Sequence, residues 1–144
     1  MHVAVKKLLA DAVLPERAHF DDSGADLFAI ECVEIPPRSP ANIKTGISIA
    51  LPHGTSGFVW GKSSLESSGL ITTAGLIDAG YRGEIIVCMF NLTNRTKILG
   101  KGQKIAQLVV VPTYYPEFRE IQELPLSKRG AGGFGSTGKH KNDL

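Results

Sequence analysis

Cysteine is scarce in this chain. There are two, Cys32 and Cys88. Two cysteines make no disulfide framework, and their spacing fits no zinc or haem pattern. Both are expected to serve as small buried hydrophobes. The four histidines, His2, His19, His53 and His140, are scattered and form no H-x-x-x-H pair, so no protein-built metal site is expected. Charge of one sign is lacking as well. The formal net charge is +2, and the basic residues are dispersed except for Lys139, His140 and Lys141. That balance argues against non-specific binding of nucleic acid, and no nucleic-acid partner is expected. Long hydrophobic runs are missing. The opening stretch "MHVAVKKLLADAVLPERAHF" is interrupted by charges, so it reads neither as a signal peptide nor as a membrane span. A cytoplasmic, reducing environment and no membrane partner are the resulting expectations. Internal repeats are absent too.

What remains is the material of one globular domain. The 144 residues are 42% hydrophobic and 21% charged, and a chain of this size can bury roughly 68–70% of its unfolded surface. Short apolar runs dominate, with glycine or proline between them. "VAVKKLL", "ADLFAIECVEI", "NIKTGISIAL", "GFVWG", "GLITTAGLI", "EIIVCMFNL", "KIAQLVVVP" and "EFREIQEL" each read as a strand. No window holds a long amphipathic helix. The expectation is all-β, a sandwich or barrel.

Three local patterns carry candidate chemistry. "GKSSLESS" contains Ser63-x-x-Glu66, a capping box that marks a helix start. Free N–H groups there, with Lys62 beside them, would suit an anion; equally, the serines could cap a structural turn. "GLIDAGYRGE" places Asp78 before Ala79 and Gly80, the pattern of a tight hairpin turn. A carboxylate at such a strand end can act as a general base or simply cap the turn. Asp26 in "SGADLF" has the same two readings.

The third pattern is "RGAGGFGSTG" at 129–138. Gly130, Gly132 and Gly135 fit G-x-G-x-x-G, and Gly133, Gly138 and Lys139 fit most of a P-loop. Both motifs need a strand before the loop and a helix after it. Pro125 precedes this stretch and only "HKNDL" follows Lys139, which leaves no room for the helix. Arg129, Phe134, Ser136, Thr137 and glycine N–H groups remain, parts suited to a phosphate chain and a flat ring. Composition also allows a disordered tail.

Taken in order, these stretches resemble the trimeric dUTP pyrophosphatase family. "SGADLFAI", "GKSSLESSGL", "GLIDAGYRGEI", "GQKIAQLVVVP" and "RGAGGFGSTG" are similar to its five motifs and cover nearly the whole chain. The resemblance implies a jelly-roll-like β-barrel domain over residues 1–128 and a flexible glycine-rich C-terminal arm over 129–144. It implies a homotrimer whose active sites are shared between subunits. It also implies Mg²⁺-assisted hydrolysis of dUTP to dUMP and pyrophosphate, which limits uracil in DNA and supplies dUMP for thymidylate synthesis. By the same resemblance, Asp78 activates the water that attacks the α-phosphorus. The backbone of Gly75, Leu76, Ile77 and Asp78, with Ile86, reads uracil, and Tyr81 packs on the deoxyribose. Lys62, Ser63, Ser64 and Gln107 bind phosphate oxygens, and Asp26 holds Mg²⁺ through water. Phe134 stacks on uracil, and Arg129, Gly135, Ser136 and Thr137 hold the outer phosphates.

The chain departs from the family pattern at Lys62-Ser63-Ser64, where Arg-Ser-Gly is common. It also departs at Gln103-Lys104, where Asp-Arg is common, and at Thr72, where some members have Asn. Two other readings exist. A dCTP deaminase shares the fold, but its catalytic Glu would stand where this chain has Cys88. A non-catalytic, nucleotide-binding or signalling β-sandwich would not need Asp78, Tyr81 and the whole tail motif.

Overall fold

The computed structural model describes residues 1–133. Ten strands and one short helix follow in chain order. They are β1 (Ala4–Lys7), β2 (Ala25–Phe28), β3 (Val33–Ile35), β4 (Pro40–Ala50), β5 (Thr55–Gly61), α1 (Ser63–Glu66), β6 (Leu70–Ala74), β7 (Leu76–Ile77), β8 (Glu84–Asn91), β9 (Lys97–Leu99) and β10 (Lys104–Pro112). Two open four-stranded sheets, β1-β4-β8-β6 and β2-β10-β5-β7, form with a two-stranded β3-β9 ribbon a jelly-roll-like all-β fold. No helix among the described residues is long and apolar enough to cross a membrane.

Strand alternation places the core. Along β8, Ile85, Val87, Met89 and Asn91 are buried while Ile86 and Cys88 turn to the other face, as a period of two requires. Ile43, Ile47 and Ile49 of β4 join the first set, and Leu27, Val59, Ile105 and Leu108 belong to the same core. Asn91 is fully buried and satisfied. Its Nδ2 donates to the carbonyls of Ile35, Pro36 and Arg95, and its Oδ1 accepts from the Thr93 N–H and hydroxyl. One polar side chain thus ties together the connections around β3, β8 and β9.

The sequence reading needs four corrections here. "EFREIQEL" forms no strand. Its apolar residues Phe118, Ile121 and Leu124 recur every third position, not every second, and all three are exposed. "ADLFAIECVEI" splits into β2 and β3, and "GLITTAGLI" into β6 and β7. Cys32 is exposed and Cys88 half-buried, so neither is a buried hydrophobe. The capping box does not form, because Lys62 is the N-cap residue and no side chain caps the helix. Ser63 stands one position too late for that role.

Candidate active site

Two groups of the sequence-derived residues assemble, on different parts of the chain. The first gathers around Asp26. Strand β10 lies between β2 and β5, and its register sets Gln107 opposite both Asp26 and Trp60. Lys62 leaves the end of β5 and Lys104 opens β10. Lys62 Nζ lies 2.5 Å from Asp26 Oδ1, and Lys104 Nζ lies 2.8 Å from Oδ2. Asp26 is buried, as is every residue of β2. Burial opposes its ionisation. The hydrogen bonds from Lys104 and Lys62, with their charges, outweigh burial and hold the carboxyl below its ordinary value of 3.8. The Asp26 hydrogen bond and charge raise Lys104 in turn. One carboxylate and two ammonium groups carry a formal charge of +1, and the carboxylates of Glu16 and Asp22 lie close enough to act on Lys104 as well.

Gln107 Nε2 points to the Gly61 carbonyl at 3.4 Å, a weak contact that leaves the amide available to a ligand. Ser63 and Ser64, in the first turn of α1, are exposed. Lys104 was not singled out as a site residue from sequence. Its signal was a lysine standing, like Lys62, where the family pattern has arginine, and the two departures meet on one carboxylate.

The second group lines a cavity of about 200 Å³. Its walls include Gly75, Leu76, Ile77, Asp78, Tyr81 and Ile86, together with Val59, Glu84 and Cys88. Gly75 is required by close approach. Its carbonyl accepts from the Val59 N–H at 2.8 Å, and a Cβ would come within 2.5 Å of the Val59 carbonyl oxygen. The turn beyond β7 is closed by Tyr81 N–H donating to the Asp78 carbonyl at 3.0 Å. It does not make a hairpin between paired strands, because β7 pairs with β5 and β8 with β4 and β6. The turn instead carries the chain from one sheet to the other, and the cavity opens where they part. Asp78 is exposed, and its carboxylate forms none of the hydrogen bonds made among the described residues. Cys88 and Glu84 were not anticipated there; the outward positions of β8 signal both.

The structure does not bring the two groups into one cavity. The cavity at Asp78 includes none of Asp26, Lys62 or Gln107. Arg129 is exposed, and its Nε donates to the Gly132 carbonyl at 2.8 Å, so it joins neither group. Phe134, Gly135, Ser136 and Thr137 lie outside the described residues.

Among the described residues no three His, Cys, Asp or Glu side chains cluster to hold a metal. Asp26 alone fits the outer-sphere role expected of it. Each of its oxygens accepts one lysine hydrogen bond and keeps a lone pair for a water. A divalent ion carried in on phosphates would suit this donor set, since Mg²⁺ retains its waters and takes few protein ligands.

Known proteins resemble this chain over nearly its whole length. Residues 10–138 match the dUTPase family model. The chain is 42% identical over 147 residues to the deoxyuridine 5'-triphosphate nucleotidohydrolase of Mycolicibacterium gilvum, covering 96% of each chain. It is 45% identical over 140 residues to that of Clostridioides difficile, covering 95% of this chain and 98% of the relative. Among solved structures, the dUTPase of Staphylococcus bacteriophage 80alpha with dUpNHpp superposes with a TM-score of 0.91 at 32% identity. That match covers 96% of this chain and 99% of the phage chain. A mutant dUTPase from phage phi11 of S. aureus, described as coordinating a structural Mg(II) ion, matches with a TM-score of 0.80 at 29% identity. It covers 85% and 98% of the two chains.

Proposed function

The chain belongs to the dUTPase family of dUTP diphosphatases, and from that premise we propose that it converts dUTP to dUMP and pyrophosphate by attack of an Asp78-bound water on the α-phosphorus. The observation that carries the reading is the Asp78 carboxylate, exposed and without a hydrogen-bond partner among the described residues, on the wall of a cavity that it shares with Gly75 and Tyr81. A carboxylate so placed can accept a proton from water as that water attacks. Phosphoanhydride hydrolysis needs little more than positioned water and charge stabilisation.

The cavity walls support a placement of the base and sugar there. Backbone groups of Gly75, Leu76 and Ile77, with Ile86, read the uracil edge, and Tyr81 packs on the deoxyribose. At the other group, Lys62, Ser63, Ser64 and Gln107 take phosphate oxygens. Lys62 spends one of its three donors on Asp26 and has two left. Mg²⁺, when bound to the triphosphate, neutralises charge on the leaving pyrophosphate. Asp26 would hold it through water. Arg129, Gly135, Ser136 and Thr137 hold the outer phosphates, and Phe134 stacks on the base.

We infer that more than one copy of the chain completes the site, since the cavity at Asp78 does not reach Asp26. We assign a homotrimer with shared sites. The extended segment after β10 supports it: Tyr114, Phe118, Leu124 and Leu126 are each more than 80% exposed, a row of apolar side chains suited to a neighbouring subunit. In the cell, the activity would keep uracil out of DNA and supply dUMP for thymidylate synthesis.

Turnover of dUTP in ¹⁸O-labelled water tests the chemistry. Label in dUMP and none in pyrophosphate is expected. Label in pyrophosphate would mean attack at the β-phosphorus and end the proposal.

A further inference from the structure

Tyr81 is 44% exposed, so packing alone does not fix its ring. An aromatic side chain this open ordinarily changes rotamer readily. Here three features restrain it. Its hydroxyl donates to the Glu84 carbonyl at 3.0 Å. Arg82 Nη1 donates to the carbonyls of Ala79 and Tyr81 itself, at 2.6 and 2.7 Å, clamping the turn that carries the ring. The ring lies over the Cα of Gly83, where a Cβ would come within 2.3 Å of the phenolic oxygen and 2.4 Å of Cζ.

The nature of that last contact decides what a side chain at 83 would do. Gly83 does not have a positive φ, so alanine suits the backbone. The clash falls on the far end of a side chain, not on backbone. A methyl group at 83 would therefore leave the fold in place and expel the Tyr81 ring from its seat.

We propose that Gly83 and Arg82 are positioning residues for sugar discrimination: they hold the Tyr81 ring in the one place from which it excludes a 2′-hydroxyl. The inference rests on the reading of Tyr81 as the residue that packs on deoxyribose. Neither residue touches the nucleotide. Gly83 supplies the vacant volume that the ring fills, and Arg82 supplies the rigid turn. Exclusion by a wall depends on where the wall stands, and a ring free to swing gives way to one extra oxygen.

The experiment is the ratio of kcat/KM for dUTP to kcat/KM for UTP. It is measured for the unaltered enzyme and for Tyr81→Ala, Gly83→Ala, Arg82→Ala and Arg82→Lys, each with its thermal melt. Gly83→Ala and Arg82→Ala are expected to melt near the unaltered protein and to lower the ratio about tenfold or more, in the direction of Tyr81→Ala. Arg82→Lys, whose ammonium can still donate to both carbonyls, should recover part of the ratio. If Tyr81→Ala lowers the ratio and the folded Gly83→Ala and Arg82→Ala do not, the positioning role is wrong and the sugar-facing role of Tyr81 stands. If Tyr81→Ala leaves the ratio unchanged, the sugar-facing role falls and the inference falls with it. Should Gly83→Ala not fold, its backbone tolerance was misjudged and Arg82→Ala decides the matter.

Discussion

Lys62 Nζ sits 2.5 Å from Asp26 Oδ1, joining residues 36 apart in the chain. With Lys104 on the other oxygen, the pair makes a buried carboxylate that stays ionised. The sign of its effect on stability follows. The folded-state pKa of Asp26 is lower than 3.8, so the unfolded chain takes up the proton first as acid is added. The contribution of Asp26 is therefore present above about pH 4 and is lost as pH falls through the lowered folded value. Thermal melts from about pH 6 to about pH 2.5 should show the unaltered protein losing more stability than Asp26→Asn, whose amide does not titrate. Parallel acid curves would mean that Lys62 and Lys104 do no more than offset the burial of Asp26.

Asp78 offers the sharpest test of the chemistry. Asp78→Asn keeps the shape of the side chain and removes the proton acceptor. No hydrogen bond of the Asp78 carboxylate is lost among the described residues, so the melt should hold. Turnover of dUTP should fall by about 10²–10⁴, while dUpNHpp should still bind. Near-normal turnover would return Asp78 to the role of a turn residue.

The fold class was legible because its signal is local. "EIIVCMFNL" is a short apolar run with β-branched residues, and glycine and proline mark the breaks. The segment 117–124 misled because Phe118, Ile121 and Leu124 supply apolar residues at a spacing of three, not two, and a strand exists only where another lends it an edge. The capping box failed by one residue: Lys62 holds extended backbone, so the helix begins on Ser63 itself. At the site, Asp26 and Asp78 could be named from their motifs. The grip of Lys104 on Asp26 could not, because it depends on the register between β2 and β10. Gly83 was equally hidden, since its importance lies in the space another side chain fills.

Thr72 carries the one buried side-chain oxygen or nitrogen without a hydrogen-bond partner among the described residues, its Oγ1. It lies on β6 at the register shift toward Ala74, where the ladder is irregular. An unsatisfied buried hydroxyl costs about 1–3 kcal/mol. Thr72→Val removes it at nearly constant volume. The variant should melt about 2–4 °C higher per kcal/mol recovered. A lower melting temperature would show that Thr72 finds a partner in the assembled protein, and a neighbouring subunit would be the place to look.

Removing the glycine-rich end of the chain tests whether folding and catalysis are separate. Among the described residues, the hydrogen bonds of Arg129, Gly130 and Gly132 are local: Arg129 Nε donates to the Gly132 carbonyl, Gly132 N–H to the Arg129 carbonyl, and Gly130 N–H to the Ser127 carbonyl and hydroxyl. None reaches the core. Ending the chain after Lys128 should therefore leave the ligand-free melt within about 2 °C of the full-length protein, since surface changes away from packing rarely exceed about 0.5 kcal/mol. Turnover should collapse, because groups that grip the outer phosphates act most strongly as charge moves onto the leaving pyrophosphate. Phe134→Ala should cost about 1–3 kcal/mol through lost stacking on the base. Phe134→Trp should retain most of the activity, because any flat ring can stack. Sedimentation equilibrium belongs in the same experiment. If the truncated chain keeps the mass of a trimer and still loses turnover, the arm serves the active site; if it hydrolyses dUTP at the full-length rate, residues 129–144 have no part in the reaction.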